Sequence, residues 1–323
     1  MPRLERRSLL AGLSAMTLGA CTGPLRIGEG KKPPKGGIGG TGIVGTLTDF
    51  GSLIVNGLRV ETDAETVYTD AFGRVHAEAL RIGQVLAIEA AQTGEGLASE
   101  LFAKTVRISH PVIGPVQHVN PDGREGIVAG ISVLLEDGAI GKLVPGTRVA
   151  ISGIWQATKV IASRIDPVAP KGLAAIAGVV SAPDSTGGRV AGIAVRATQA
   201  DFPEPGSFVT VVGMADSDGI VASKVDAGRF FGAAGPLTRL SVEGFLEPTA
   251  KAPFFAISGL GHSFDETARL ARVGARRAIF TGGYEEAFAV SRAIILPDAL
   301  AARRKLSAAI VNDNFRPSGL STR

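Results

Sequence analysis

The chain has 323 residues, of which 45% are hydrophobic, so it is long enough for several domains and too apolar to be disordered throughout. Gly 43 and Pro 18 against an aromatic content of 5% fit many short strands separated by tight turns and exclude a long-helix architecture. The net charge of +4 sits at the ends: residues 1–21, 22–37 and 298–323 carry +2, +3 and +3, leaving −4 on residues 38–297. That acidic body lacks the clustered Lys and Arg that a phosphate backbone requires, so no nucleic-acid partner is expected.

Residues 1–21, MPRLERRSLLAGLSAMTLGAC, combine a basic start, an apolar run from Leu9 to Ala20 and small residues before Cys21, the pattern of an export signal. The apolar run is too short for a transmembrane helix, which needs about 20 residues. Arg6 and Arg7, followed by Ser8, Leu9 and Leu10, resemble the twin-arginine export signal, with the general secretory route as the alternative. Leu18, Gly19, Ala20 and Cys21, the single cysteine, resemble the lipobox of bacterial lipoproteins, in which the Cys thiol is lipidated and becomes the new N-terminus. Cys21 is therefore the expected lipidation site and the membrane anchor. Thr22 in place of Asp favours the outer membrane. Residues 22–41, rich in Gly, Pro and Lys without apolar periodicity, read as a flexible linker.

A phrase then recurs four times: Val55-Asn56-Gly57-Leu58-Arg59-Val60, Val128-Ala129-Gly130-Ile131-Ser132-Val133, Val190-Ala191-Gly192-Ile193-Ala194-Val195 and Ile257-Ser258-Gly259-Leu260-Gly261-His262. Upstream of each stands a glycine with an apolar residue two positions on: Gly45 and Leu47, Gly114 and Val116, Gly178 and Val180, Gly244 and Leu246. Downstream, a turn feeds an apolar strand ending at Gly153 or Gly213, and a closing strand repeats as Val160–Ile165, Ile220–Val225 and Phe288–Ala293. Such self-similarity marks tandem modules. Asn56-Gly57 predicts a two-residue hairpin turn; where Ala or Ser replaces Asn, a bulge or strand bend at the glycine is an equal expectation.

The expected fold is all-β, with four tandem small β-barrels occupying residues 42–110, 111–170, 171–235 and 236–297. Each has room for five or six strands, and closure into a barrel removes the edges. Neighbouring barrels are expected to pack, because so small a unit is marginal alone. The fourth departs most: Gly274 is followed by Ala275, Arg276 and Arg277, and His262 stands where Val60, Val133 and Val195 stand elsewhere. Residues 298–323 predict a short helix, with Asp298 as N-cap and Leu300, Leu306, Ala309 and Ile310 on one side, then a disordered tail.

The run GGTGIVGTLTDFGSLIVNGLRVETDAETV, residues 39–67, resembles the opening of a bacterial family of exported repeat proteins, the domain of unknown function 5666 family, and the resemblance extends through the repeats to about residue 297. It implies small barrels similar to the oligonucleotide and oligosaccharide binding (OB) fold, often behind a lipoprotein leader. It implies no catalytic residues.

Chemistry-bearing patterns are sparse. His110 and His118 do not have zinc-ligand spacing and read, with His76, as surface or linker residues, while His262 reads as a degenerate core or rim position. No metal or cofactor site is expected. Ser163, Ser223 and Ser291 recur with the module on a strand, which suggests packing or strand-edge hydrogen bonding rather than nucleophilic catalysis. Gly36 to Gly40 lead into strands, not into a phosphate-binding helix. Glu61, Asp63 and Glu65 read as a solvated strand edge. Trp155, Tyr68, Phe50, Phe230 and Phe231 do not recur at one module position, which weakens a repeated polymer-stacking face. The expected function is a lipid-anchored, non-catalytic envelope protein that serves as a scaffold or binding module for an envelope protein or glycan; the alternative is an enzyme acting on envelope polysaccharide, which would need converging carboxylates in a cleft.

Overall fold

A computed structural model describes residues 39–93, 100–182, 187–197, 202–248, 255–258, 273–285 and 288–314. Arg6, Arg7, Cys21, most of the expected linker, His262 and the tail after residue 314 lie outside the described residues.

Among the described residues twenty strands and one α-helix follow one another, and the strands repeat a single plan. The first repeat holds β1 (Gly40–Asp49), β2 (Leu53–Val55), β3 (Leu58–Glu61), β4 (Val67–Thr69), β5 (Val85–Thr93) and β6 (Glu100–Ser109). Antiparallel pairs join β1 to β2, β2 to β3, β6 to β5 and β5 to β1, while β3 runs parallel to β6. The circuit closes into a small Greek-key barrel of the OB-like kind, and β4 adds to β6 in parallel. The second repeat, β7 (Val112–Val119), β8 (Glu125–Val128), β9 (Ile131–Ile140), β10 (Arg148–Gln156) and β11 (Lys159–Pro167), closes by the same pairings. In the third, β12 (Ala174–Val179), β13 (Gly187–Val190), β14 (Ile193–Arg196), β15 (Phe208–Asp216) and β16 (Gly219–Ala227) complete the circuit through a bridge between Val180 and Val190. The fourth shows β17 (Leu237–Pro248) paired with β18 (Phe255–Ile257) and β19 (Arg277–Tyr284), and β19 paired with β20 (Phe288–Ile295).

The barrels do not form a simple row. The first strands of the outer repeats pair in parallel, with Gly42 opposite Leu240 and Val44 opposite Val242, and those of the inner repeats pair antiparallel, with Ile113 opposite Ala175. Strand β1 is consequently buried on both faces from Gly40 to Thr48. Ile43 and Leu47 point into the first barrel with Leu53, Leu86 and Ile88. Val44 points outward into a second core, where Val85 of the first barrel, Ile154 and Ile161 of the second and Val242, Phe280 and Phe288 of the fourth meet. Burying each such large side chain stabilises by about 1.5–3 kcal/mol, so the contacts between barrels rival those within them.

The recurring phrase is a tight turn in all three copies where its turn pair is described. Asn56 and Gly57 have φ of 56° and 71°, Ala129 and Gly130 of 44° and 83°, Ala191 and Gly192 of 49° and 84°, each between flanking residues that pair directly. Two positive φ values in a two-residue hairpin are the type I′ combination. The expectation of an equal chance of a bulge at the alanine copies is therefore corrected, although Ala in this conformation carries a steric cost of about 1–2 kcal/mol. The upstream glycine accommodates the turn: a Cβ on Gly45 would lie 2.0 Å from Asn56, one on Gly114 2.6 Å from Ala129 and one on Gly178 2.9 Å from Ala191.

A bulge does occur, two strands later. The ladders of β10 with β11, β15 with β16 and β19 with β20 each skip one residue, and the skipped residues are Ser163, Ser223 and Ser291. Their hydroxyls donate to the carbonyls of Ser152, Val212 and Thr281 across the ladder, at 3.2, 3.1 and 3.1 Å. The extra residue bends the strand, as barrel closure demands. It also drives a carbonyl against the facing strand, so that a Cβ on Gly153, Gly213 or Gly282 would come within 2.4, 2.0 or 1.9 Å of that oxygen.

Helix α1 (Leu300–Asn314) lies against the second and third strands of the first barrel and against β9 of the second. Its first intrahelical bond, from Arg303 N, is accepted by Ala299 O at 3.0 Å, which makes Ala299 the N-cap and leaves Asp298 one residue outside. Its inner face is Leu300, Arg303 and Ser307, all buried, whereas Ala309 is exposed. The expected apolar stripe is thus corrected to one with a charged centre.

Candidate functional site

Four charged side chains meet where the helix touches the barrels. Glu136 comes from β9, Glu243 from β17, Arg277 from the start of β19 and Arg303 from α1, and each side chain is at most 3% exposed. Arg277 is the hub: its Nη1 donates to Glu136 at 2.6 Å, its Nε to Glu243 at 2.7 Å and its Nη2 to the Thr46 hydroxyl at 3.1 Å. Arg303 donates from Nη2 to the other Glu136 oxygen and from Nη1 to the carbonyl of Asp298 at 2.7 Å, and its Nε lies 3.7 Å from Glu243. The second Glu243 oxygen accepts the Thr46 N–H at 2.6 Å. Two carboxylates and two guanidinia cancel in charge, which is the condition for burying them.

The two carboxyl groups are not equivalent. Burial pushes Glu136 above the ordinary carboxylate range despite Arg277 and Arg303. Burial acts on Glu243 in the same direction, but Arg277, Arg303 and the Thr46 N–H outweigh it and hold Glu243 below its ordinary value. Only Glu243 receives the Thr46 donors, and the charge of Glu243 in turn raises Glu136 further.

Glu136 and Glu243 are converging carboxylates from two barrels, the feature that an enzyme acting on polysaccharide would need. Their oxygens, however, face arginines and the Thr46 amide instead of an open cleft. Beside them, residues of all four repeats, among them Val44, Trp155, Phe208 and Glu243, enclose a cavity with room for about one water.

The residues singled out from sequence are dispersed. His110 is buried, with Nδ1 3.3 Å from both Ile151 O and Ser152 Oγ. The expectation of a surface linker histidine is therefore corrected: the junction between the first two barrels is packed. Burial pushes its pKa below the ordinary histidine value. His76 and His118 are exposed. Ser163 also donates to Gly83 O of the first barrel at 2.7 Å. Glu61 accepts from Ser52 and Arg59, at 2.8 and 2.7 Å, and Asp63 holds the turn at Thr66. Trp155 is buried and donates to Ala177 O of the third barrel at 2.9 Å. Among the described residues no group of three or more His, Cys, Asp or Glu side chains is placed to hold a metal ion.

The charge cluster was missed, yet one signal for it was present: Glu243 occupies the position before the repeat glycine where Val44, Ile113 and Ala177 stand in the other copies.

The comparisons bear on the first barrel. Residues 41–101 match a family model described as Domain of unknown function (DUF5666). The first barrel is similar to the DUF5666 domain over these residues. The match begins in β1, takes in β2 to β5 and ends at the second residue of β6. No curated protein and no solved structure matches the chain.

Proposed function

We propose that this chain is a lipid-anchored, non-catalytic protein of the bacterial cell envelope, with its packed barrels acting as a scaffold or binding module for an envelope protein or glycan. The observation that carries the non-catalytic part of this reading is the charge cluster: the two carboxylates that converge between barrels are sealed and neutralised by Arg277 and Arg303, so they serve cohesion. The envelope location rests on the lipobox-like Leu18 to Cys21 and on the twin-arginine-like Arg6 and Arg7. No helix among the described residues is long and apolar enough to cross a membrane, which leaves Cys21 as the proposed anchor.

The test is fractionation of the full chain and of Cys21→Ala, followed by crosslinking and pulldown from envelopes. Release of the variant from membranes and recovery of one envelope partner or glycan by the parent support the reading. Membrane retention of the variant would refute the anchor, and turnover of envelope polysaccharide by the purified protein would refute the non-catalytic assignment.

A further inference from the structure

The repeated plan allows the outer faces of two barrels to be compared residue by residue. In β10 of the second barrel Ile154 follows Gly153 and pairs with Ile161 of β11; in β15 of the third, Met214 follows Gly213 and pairs with Val221 of β16. Ile154 and Ile161 are 5% and 9% exposed, because the fourth repeat covers them in one core with Val242 and Phe280. Their counterparts Met214 and Val221 are 60% and 41% exposed. The same position of the same unit is thus an interface in one barrel and open in the next.

The open row is wider than this pair. Along β15, Val209 and Val211 point into the barrel and Val212 points out of it, so Met214, two residues on, shares the outer face. Leu173 precedes Ala174, the partner of Gly213, which sets it level with Met214 on the other side, and it too is exposed. Leu173, Met214 and Val221 therefore form one apolar row across the sheet. The row continues an established interface: one step along the same face, Ala175 and Val212 are buried in one cluster with Ala71 of the first barrel and with Ile113 and Ala150 of the second. Single exposed apolar side chains are ordinary on a protein surface, whereas a contiguous row that extends a dry interface marks a contact.

The occupant follows from what covers the counterpart row and from the flanking charges. Ile154 and Ile161 are covered by another repeat of this chain, so barrel-on-barrel packing through this position is already part of the plan. On the outer face the open row is flanked by Lys224, opposite Val212, and by Asp216, two residues beyond Met214. Lys224 is paired with Asp226 at 2.6 Å and Asp216 with Arg196, so these charges are closed within the chain. They neither attract a strongly charged partner nor repel an identical one. We propose that Leu173, Met214 and Val221 form a self-association face, on which a second copy of this chain docks with the same row across a two-fold axis. The flexible thioether of Met214 suits a contact in which a side chain meets its own image.

The test is sedimentation velocity of the full chain from about 1 to 100 μM, the range in which small interfaces associate. The parent should pass from one chain to two over this range. Met214→Glu and Val221→Glu should each weaken the association by about tenfold or more while melting with the parent, since both positions are exposed in the single chain. Cys21 is the single cysteine, so Val221→Cys in a Cys21→Ser background places one thiol on the row; a short bis-maleimide should link it to its own copy. Asp122→Cys in the same background, on an exposed turn of the second barrel, should not be linked. A parent that stays single at the highest concentration would overturn the inference and leave the row to a different partner. Association that survives both glutamate variants, as it would if the apolar residues 9–20 drove it, or equal linking from Asp122→Cys, would overturn it as well.

Discussion

Arg303 of the C-terminal helix ion-pairs with Glu136 of the second barrel across 167 residues of sequence, and both side chains are buried. Glu136 binds Arg277 of the fourth repeat through its other oxygen, so one carboxylate ties together a helix and two repeats. Removing one partner of such a cluster leaves a buried uncompensated charge. Arg303→Ala should therefore lower stability by about 3–5 kcal/mol. Arg304→Ala, whose side chain is 45% exposed and lies 4.0 Å from Asp49, should cost about 1 kcal/mol or less. Urea titrations of the two variants check this, and Glu136→Ala with Arg303→Ala together should cost less than the sum of the single changes.

The cluster also sets an acid limit. Glu243 is held below its ordinary pKa in the folded chain, so between its folded and unfolded values the unfolded chain binds more protons and stability rises with pH. Its contribution is complete above the unfolded carboxylate value and is lost as pH falls through the folded one. Glu136, shifted up, acts oppositely: its ionisation opposes folding as pH rises from the unfolded to the folded value. Glu136→Gln should accordingly flatten the decline on the high-pH side of the ordinary carboxylate value, and Glu243→Gln should flatten the loss on the low-pH side. Melting temperatures measured from pH 3 to 7 separate the two slopes; parallel profiles for parent and both variants would contradict the assignments.

The repeat plan was legible because the repeats write their closure into corresponding places: the turn glycine at Gly57, Gly130 and Gly192 and the accommodating glycine at Gly45, Gly114 and Gly178 in the first three, and the bulge serine at Ser163, Ser223 and Ser291 in the last three, where the first has Lys104. These are local backbone requirements, so they survive in sequence. The way the barrels pack was not legible. Parallel pairing of β1 with β17 joins residues almost 200 positions apart, and nothing local distinguishes a strand buried on one face from one buried on two. Arg277 stood out only in the break of apolar register after Gly274, and Arg303 not at all, because their neutralising partners are distant in sequence; the misplaced Glu243 was the one local hint.

The glycine assignments differ in what they predict. Gly130→Val and Gly192→Val both force a β-branched residue to φ of 83° and 84°, which should cost about 1–3 kcal/mol. Gly130→Val should cost more, because its Cβ would also meet Ile193 Cδ1 at 2.9 Å, while Gly192 faces open space. Gly153→Ala, at an ordinary negative φ, is destabilising for another reason, the carbonyl of Ile161 at 2.4 Å from the new Cβ. Thermal melts that leave Gly153→Ala at the parent value would show that the bulge does not constrain this position.

His110 supplies a second pH limit, near neutrality. Buried between Ile151 O and Ser152 with its pKa below the ordinary value, it stays neutral in the folded chain while the unfolded chain takes up a proton. Stability from this residue is present above about pH 6.5 and is lost as pH falls towards the folded value. His110→Gln should lower stability at pH 7.5 and lose less between pH 7.5 and 5.5 than the parent does. A parent whose Tm is unchanged across that interval would show that His110 titrates normally.

The pairing of the first and last repeats makes the chain divisible in an unusual way. A break between Gly232 and Ala233, both exposed in the segment before β17, severs no strand. Yet β17 is held by the parallel ladder with β1, by the shared core around Val44, Ile154 and Phe280, and by the bonds from Arg277 and Arg303 to Glu136. Co-expressed pieces 1–232 and 233–323 should therefore co-purify as a one-to-one complex at micromolar concentration, since an interface with a large apolar core does not depend on chain continuity. Arg277→Ala in the smaller piece should weaken the association by at least tenfold, because it leaves Glu136 and Glu243 buried without their shared partner. Residues 39–110 alone should melt well below the full chain, with β1 exposed along the edge that β17 covers. Independent elution of the two pieces would mean that the barrels are only tethered, and that the charge cluster does not hold them together.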